Sequence, residues 1–180
     1  MHVAVYCASS TASETTYGPL ADATGTTLAR VGHTLVYGGG STGLMGRVAR
    51  AAHVAGGRVV GVIPESMTQS EVAYTDADEL IVVDTMRQRK QIMDDRSDAF
   101  LILPGGFGTL EELSEVITHA YLGYLGTPPK PIVILNPDGF YDPLLAMFDR
   151  FIETGMAKPR YRDVYTLVQT PDQALAAVTR

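Results

Sequence analysis

Residues 99–112, AFLILPGGFGTLEE, place a carboxylate directly behind a glycine-rich turn. A continuous apolar segment, Phe100–Leu103, breaks at Pro104 into Gly105, Gly106, Phe107, Gly108 and Thr109, and a helical pattern starts at Leu110. Glycines admit a ligand close to the backbone, and the first N–H groups of a helix, which lack intrahelical acceptors, favour an anion. Glu112 sits just inside that corner. A phosphate cradle beside a carboxylate suits chemistry on a nucleotide or a sugar phosphate. Glu112 also has a quieter reading, because it follows Thr109 at the spacing of a capping box and could close its own helix. Its neighbour Glu111 is turned away by about 100°, whereas Glu115 and His119 share its side of the helix.

Two further stretches supply complementary groups. In Met86-Arg87-Gln88-Arg89-Lys90, and on to Arg96, four of the chain's 14 basic residues fall together in an acidic protein. Arg89 and Lys90 point about 100° apart on a helix, so they serve two different tasks or form a solvated face. The segment Tyr37–Gly46, YGGGSTGLMG, contains Gly38, Gly40, Ser41 and Gly43. Its GxGxxG spacing, with Glu65 further on, fits a dinucleotide loop, and equally fits glycines that let a strand and a helix pack closely. Ser9 and Ser10, after the first apolar run, are either turn residues or ligand contacts. Glu71 is the most plausible ligand contact in the long polar stretch from Pro64 to Asp78.

These residues need a scaffold that brings strand exits together. Seven apolar runs provide it: Val3–Cys7, Thr34–Tyr37, Arg58–Ile63, Leu80–Val83, Phe100–Leu103, Ile132–Leu135 and Val164–Val168. Most are separated by stretches of helical length, and their apolar character is continuous, as in strands covered on both faces. The pattern predicts an α/β, Rossmann-like, doubly wound sheet of about seven mainly parallel strands, in one domain over residues 1–180. Thr11 with Glu14, and Thr170 with Gln173, have the spacing of helix caps.

The net charge of −6 and pI near 5.1 argue against nucleic-acid or anionic-membrane partners, which require a basic surface. Cys7 is the sole cysteine, so internal disulfides and cysteine zinc clusters are excluded, and a reducing compartment is expected. No apolar run reaches membrane-spanning length and no signal-peptide pattern is seen at Met1, so the expected location is cytoplasmic.

PGGFGTLEE resembles the PGGxGTxxE signature, and MRQRK the companion MxxRK, of the LOG family of cytokinin-activating phosphoribohydrolases, once described as lysine decarboxylases. The resemblance extends through YGGGSTGLMG and Val116–Gly123, and departs at Ala8, where the family turn carries glycine. It implies hydrolysis of the N-glycosidic bond of N6-modified adenosine 5′-monophosphates, with AMP a second candidate substrate, to free base and ribose 5-phosphate. It assigns catalysis to Glu112 and Arg89, with Gly106, Phe107, Gly108 and Thr109 on the phosphate and Lys90, Glu71 and Thr118 completing the nucleotide site. Ser9, Gly40, Ser41, Met86, Gly105, Leu110, Glu111 and Glu115 complete the expected substrate contacts. No cofactor and no metal is expected, pyridoxal phosphate included. The implied assembly is a homodimer with the site near its interface, where His119 and the tyrosine-rich end of the motif helix could lie. Two other readings stay open on the residues alone: a non-catalytic nucleotide or cofactor carrier, and an NAD-dependent oxidoreductase resting on Gly38, Gly40, Gly43 and Glu65.

Overall fold

The computed structural model describes residues 1–69 and 72–179. The apolar runs form one parallel sheet: β1 (His2–Tyr6), β2 (Thr34–Tyr37), β3 (Val59–Pro64), β4 (Glu79–Val83), β5 (Ala99–Ile102), β6 (Ile132–Leu135) and β7 (Thr166–Val168). Their spatial order is β4-β3-β2-β1-β5-β6-β7. The α-helices among the described residues are α1 (Glu14–Arg30), α2 (Gly43–Val54), α3 (Met86–Arg96), α4 (Phe107–Leu122), α5 (Asp142–Glu153) and α6 (Pro171–Val178).

Helices on both faces explain the unbroken apolar runs, because alternate side chains of each strand enter two different cores. Val3, Val5, Leu35, Tyr37 and Leu101 pack with Leu28, Leu44, Val48 and Val178 from α1, α2 and α6. On the opposite face Ala4, Tyr6, Val36, Phe100 and Ile102 pack with Met93 of α3 and Leu113 and Val116 of α4. The chain builds outward from β1 to β4, then crosses back to lay β5 on the other side of β1. The helices after β1 and β5 therefore lie on opposite faces, and a crevice opens between the two strand exits. Tyr6 is level with Ile102 in that pair, so Cys7–Ser10 and Leu103–Gly106 form the crevice walls.

Three local expectations change. Thr11–Ser13 is a short 3-10 turn, and α1 starts at Glu14 without a side-chain cap. The Glu14 carboxylate instead accepts from the Gly43 N–H of α2 at 3.1 Å. The last run is shortened because Val164 closes the 3-10 turn Pro159–Asp163 before β7. The stretch after β3 is tied down where described: Gly40 and Ala73 form an antiparallel bridge, and Ser41 N–H donates to the Val72 carbonyl at 2.9 Å. His53 Nδ1 lies 3.0 Å from the Tyr74 hydroxyl and its Nε2 lies 3.1 Å from Asp78 Oδ2. The cap at Thr170 forms as expected, its side chain accepting from Gln173 N–H at 3.3 Å.

Candidate active site

Arg89 and Glu112 meet at the switch point. Arg89 is on the first turn of α3 and Glu112 on the second turn of α4, and each is only 7% exposed. Arg89 Nη1 donates to Glu112 Oε1 at 3.1 Å, and its Nε donates to the Val62 carbonyl at 3.1 Å. The Met86 sulfur lies 3.4 Å from the same Nη1. The α3 start is fixed by a capping box between Thr85 and Gln88, which sets the arginine's approach. Glu112 does not act as a helix cap: α4 begins at Phe107 with Gly106 as its N-cap, so Glu112 lies beyond the first turn and turns into the crevice.

The two glycine loops differ in what their helices offer an anion. The first three N–H groups of α2 are satisfied within the protein. Gly43 N–H is held by Glu14, and the N–H groups of Leu44 and Met45 both reach the Ala8 carbonyl, at 2.9 and 3.3 Å. Glu14 is in turn 4.0 Å from Arg47. A carboxylate already occupies the position that a dinucleotide pyrophosphate takes at such a helix start, which argues against the NAD reading. At α4, by contrast, the N-cap is Gly106, and among the described residues no side chain is seen to accept from the N–H groups of the first turn. A Cβ built on Gly106 or Gly108 meets no protein atom within 4 Å. Nothing in the chain's own packing requires glycine at these two positions, whereas a ligand seated on the helix start would.

Gly38 and Gly105 have internal reasons. A Cβ on Gly38 would lie 1.9 Å from Arg89 Nη2, and one on Gly105 would lie 2.1 Å from Thr109 Oγ1. Gly38 thus clears the path along which Arg89 reaches Glu112. Tyr141 supports the corner from the C-terminal part of the chain, donating to the Leu103 carbonyl at 2.7 Å.

The crevice encloses about 250 Å³ and is walled by Ser9, Met86, Arg89, Gly106, Phe107, Gly108, Thr109 and Glu112 among the expected residues. Val5, Tyr6, Cys7, Ala8, Ser10, Gly38, Met45 and Met67 complete it. Phe107 is 92% exposed and stands at its mouth. The remaining expected residues lie elsewhere. Gly40 and Ser41 pair with 72–73 of the following loop. Lys90 is turned from Arg89, as the helical spacing requires, and binds Glu111 and Glu115, the latter at 2.9 Å. Burial works against the Lys90 charge, but the two carboxylates outweigh it and raise its pKa. Leu110, Glu111, Glu115 and Thr118 line an open concavity on the outer side of α4 that shares Phe107 with the crevice. Gly105 lies behind Thr109. Glu65 opens a 3-10 turn, and its neighbour Met67, not Glu65, reaches the crevice. Glu71 lies outside the described residues.

Tyr6 and Asp94 escaped the reading of the sequence. The Tyr6 ring stacks on Phe100, and its hydroxyl donates to Asp94 Oδ1 at 3.2 Å. Burial, reinforced by the negative charges of Asp94 and Glu112, holds the phenol well above its ordinary pKa. A tyrosine ending the first strand, where the chain enters the crevice, was the available signal. Among the described residues no group of three or more His, Cys, Asp or Glu side chains could hold a metal ion, and no helix is long and apolar enough to cross a membrane.

Sheet order and crevice place the chain in the Rossmann-like class of α/β proteins. The family model described as "Possible lysine decarboxylase" matches residues 45–178. The chain is 49% identical over 175 residues to the cytokinin riboside 5′-monophosphate phosphoribohydrolase of Mycobacterium tuberculosis (strain ATCC 25618 / H37Rv), covering 97% of this chain and 91% of the relative. It is 42% identical over 173 residues to one from Arabidopsis thaliana, covering 96% of this chain and 80% of that one. The chain belongs to this family, the LOG proteins. Among solved structures, the Moco carrier protein of Chlamydomonas reinhardtii shares the fold with a TM-score of 0.71 at 21% identity, covering 99% of this chain and 94% of that one.

Proposed function

We propose that the protein is a phosphoribohydrolase that cleaves the N-glycosidic bond of N6-modified adenosine 5′-monophosphates, releasing the free base and ribose 5-phosphate. The observation that carries this reading is the buried Arg89–Glu112 pair beside the uncapped start of α4, in a chain of this family. With the 5′-phosphate on the N–H groups of Phe107, Gly108 and Thr109, the ribose extends into the crevice toward Glu112. As the C1′–N9 bond breaks, its electron pair leaves with the base and positive charge develops at C1′. Glu112 stabilises that charge and takes a proton from the incoming water, whose oxygen bonds to C1′, and the departing base gains one proton. Arg89 balances the buried carboxylate and fixes its direction through the bond to Val62. Met45, Met67, Met86 and Phe107 offer an adaptable apolar mouth for the base and its substituent.

Incubation with isopentenyladenosine monophosphate and with AMP, followed by chromatography of the released base, tests the reading. Release from the modified nucleotide is expected. Tight AMP binding by calorimetry with no base released from either would favour the carrier reading instead.

The same proposal includes a homodimer. No residue of α5 is fully buried, and Met147, Phe151 and the following Met156 are exposed. Phe151 also lines an apolar cavity of about 240 Å³, with Ile117, Phe148, Ile152 and Tyr165, between α4 and α5. A second copy on this face would cover it and bring an interface close to the outer concavity of α4. Light scattering of the wild type and of Phe151→Glu checks this, with a dimer and a monomer expected. A nucleotide substrate and a buried lone cysteine suit the cytoplasm.

A further inference from the structure

Behind the Arg89–Glu112 pair lies a second ionisable layer. Asp94, on α3, is 8% exposed and faces charged or titratable groups from every element packed against it. From β1, the Tyr6 hydroxyl donates to its Oδ1 at 3.2 Å. From α4, His119 Nδ1 lies 3.6 Å from its Oδ2, and Glu115 acts on it electrostatically. From the segment before β6, Lys130 Nζ donates to its backbone carbonyl. Tyr6 itself is within electrostatic reach of Glu112 and Arg89 and belongs to the crevice wall. The phenol thus donates its one proton to Asp94 while lining the same crevice as a second carboxylate, Glu112.

We propose that Asp94 is a positioning residue for the crevice: as a carboxylate it claims the Tyr6 proton and so prevents the phenol from donating toward Glu112. The proposal rests on the reading of Glu112 as the reacting carboxylate. A donated O–H would stabilise Glu112 in the resting enzyme and oppose its pull toward C1′, which lowers turnover more than binding. When Asp94 takes a proton from solvent it can donate to the phenol oxygen, and the Tyr6 O–H is released to turn toward Glu112. One proton enters the layer and none is lost.

Asp94 carries its charge at a cost. Burial, with some help from Glu115, raises its pKa, against the Tyr6 hydrogen bond, His119 and Lys130. The folded state then binds more protons than the unfolded chain between the ordinary carboxyl value and the raised one. Stability falls as pH rises through that window and stays lower above it. A group that destabilises the fold when ionised, yet is wired to the crevice, has the character of a functional residue.

The test is the kcat and KM pH profile of four proteins together with their melting curves. Asp94→Ala frees the phenol at every pH and is expected to lower kcat about 10-fold with little change in KM, the loss of one charge-assisted hydrogen bond. Adding Tyr6→Phe, which removes the proton in question, is expected to restore most of that loss. Asp94→Asn cannot titrate, and its amide N–H can donate to the phenol oxygen as the protonated acid does, so it is expected to show already at neutral pH the lowered kcat that the wild type shows only at acid pH, and to melt higher at neutral pH. If the double variant is as slow as Asp94→Ala, or Asp94→Asn keeps the wild-type kcat at neutral pH, Asp94 does not act through Tyr6. These outcomes are independent of whether Glu112→Gln is inactive, which tests the underlying reading.

Discussion

Gly38→Ala probes the site without replacing either charged residue. The new Cβ would sit 1.9 Å from Arg89 Nη2, 2.9 Å from Met45 Sδ and 3.1 Å from Arg89 Cζ. An ordinary non-bonded separation is about 3.5 Å, so the guanidinium must retreat by about 1.5 Å. Its hydrogen bonds to Val62 and Glu112 are both 3.1 Å, and neither tolerates a shift of that size without breaking or rotating. Separating a buried ion pair costs about 3–5 kcal/mol when one partner is deleted; here both remain beside a crevice that water can enter, so a stability loss of about 1–3 kcal/mol is expected, in the range of an overpacked core. Misplacing a reacting group by about 1 Å costs about 10²-fold in rate. Base release from isopentenyladenosine monophosphate should therefore fall about 10²-fold in kcat/KM, while Tm drops by several degrees. Gly38→Ala with wild-type kcat/KM and a wild-type melting curve would refute the argument that Gly38 exists to let Arg89 pass.

Glu112→Gln should lower kcat by roughly 10²-fold or more while nucleotide binding measured by calorimetry is largely kept, because the amide retains an acceptor for Arg89 but no negative charge for C1′. Gly108→Ala, whose Cβ meets no protein atom, should leave Tm unchanged yet raise KM if a phosphate sits on the start of α4; an unchanged KM would move the phosphate elsewhere. Asp78 has a depressed pKa, chiefly from the Val59 N–H, with His53 adding to it. A depressed carboxyl stabilises the fold above its unfolded value of about 3.9 and loses that contribution as pH falls through the lower folded value. The Tm deficit of Asp78→Asn should thus be full near neutral pH and shrink below about pH 4, and a pH-independent deficit would contradict this account.

The sequence by itself determined the strands, the layer order along the chain and the glycine corner. Continuous β-branched runs are required wherever a strand is covered on both faces, and the 100° step of a helix was enough to separate Arg89 from Lys90 and Glu112 from Glu111. Tertiary structure decided the rest, because each deciding partner is distant in sequence. Whether YGGGSTG or PGGFGT is open to an anion depends on Glu14, 29 residues before Gly43, and on the Ala8 carbonyl, which only the β1 exit delivers. Glu112 faces Arg89 and not its own helix start because α4 begins at Phe107, two residues before Thr109, a shift that capping patterns alone do not resolve. The role of Gly38 follows from a side chain arriving across two strands, and Asp94 reaches Tyr6 across 88 residues of chain. Local spacing sets the direction in which a side chain points; the strand order sets what it meets there.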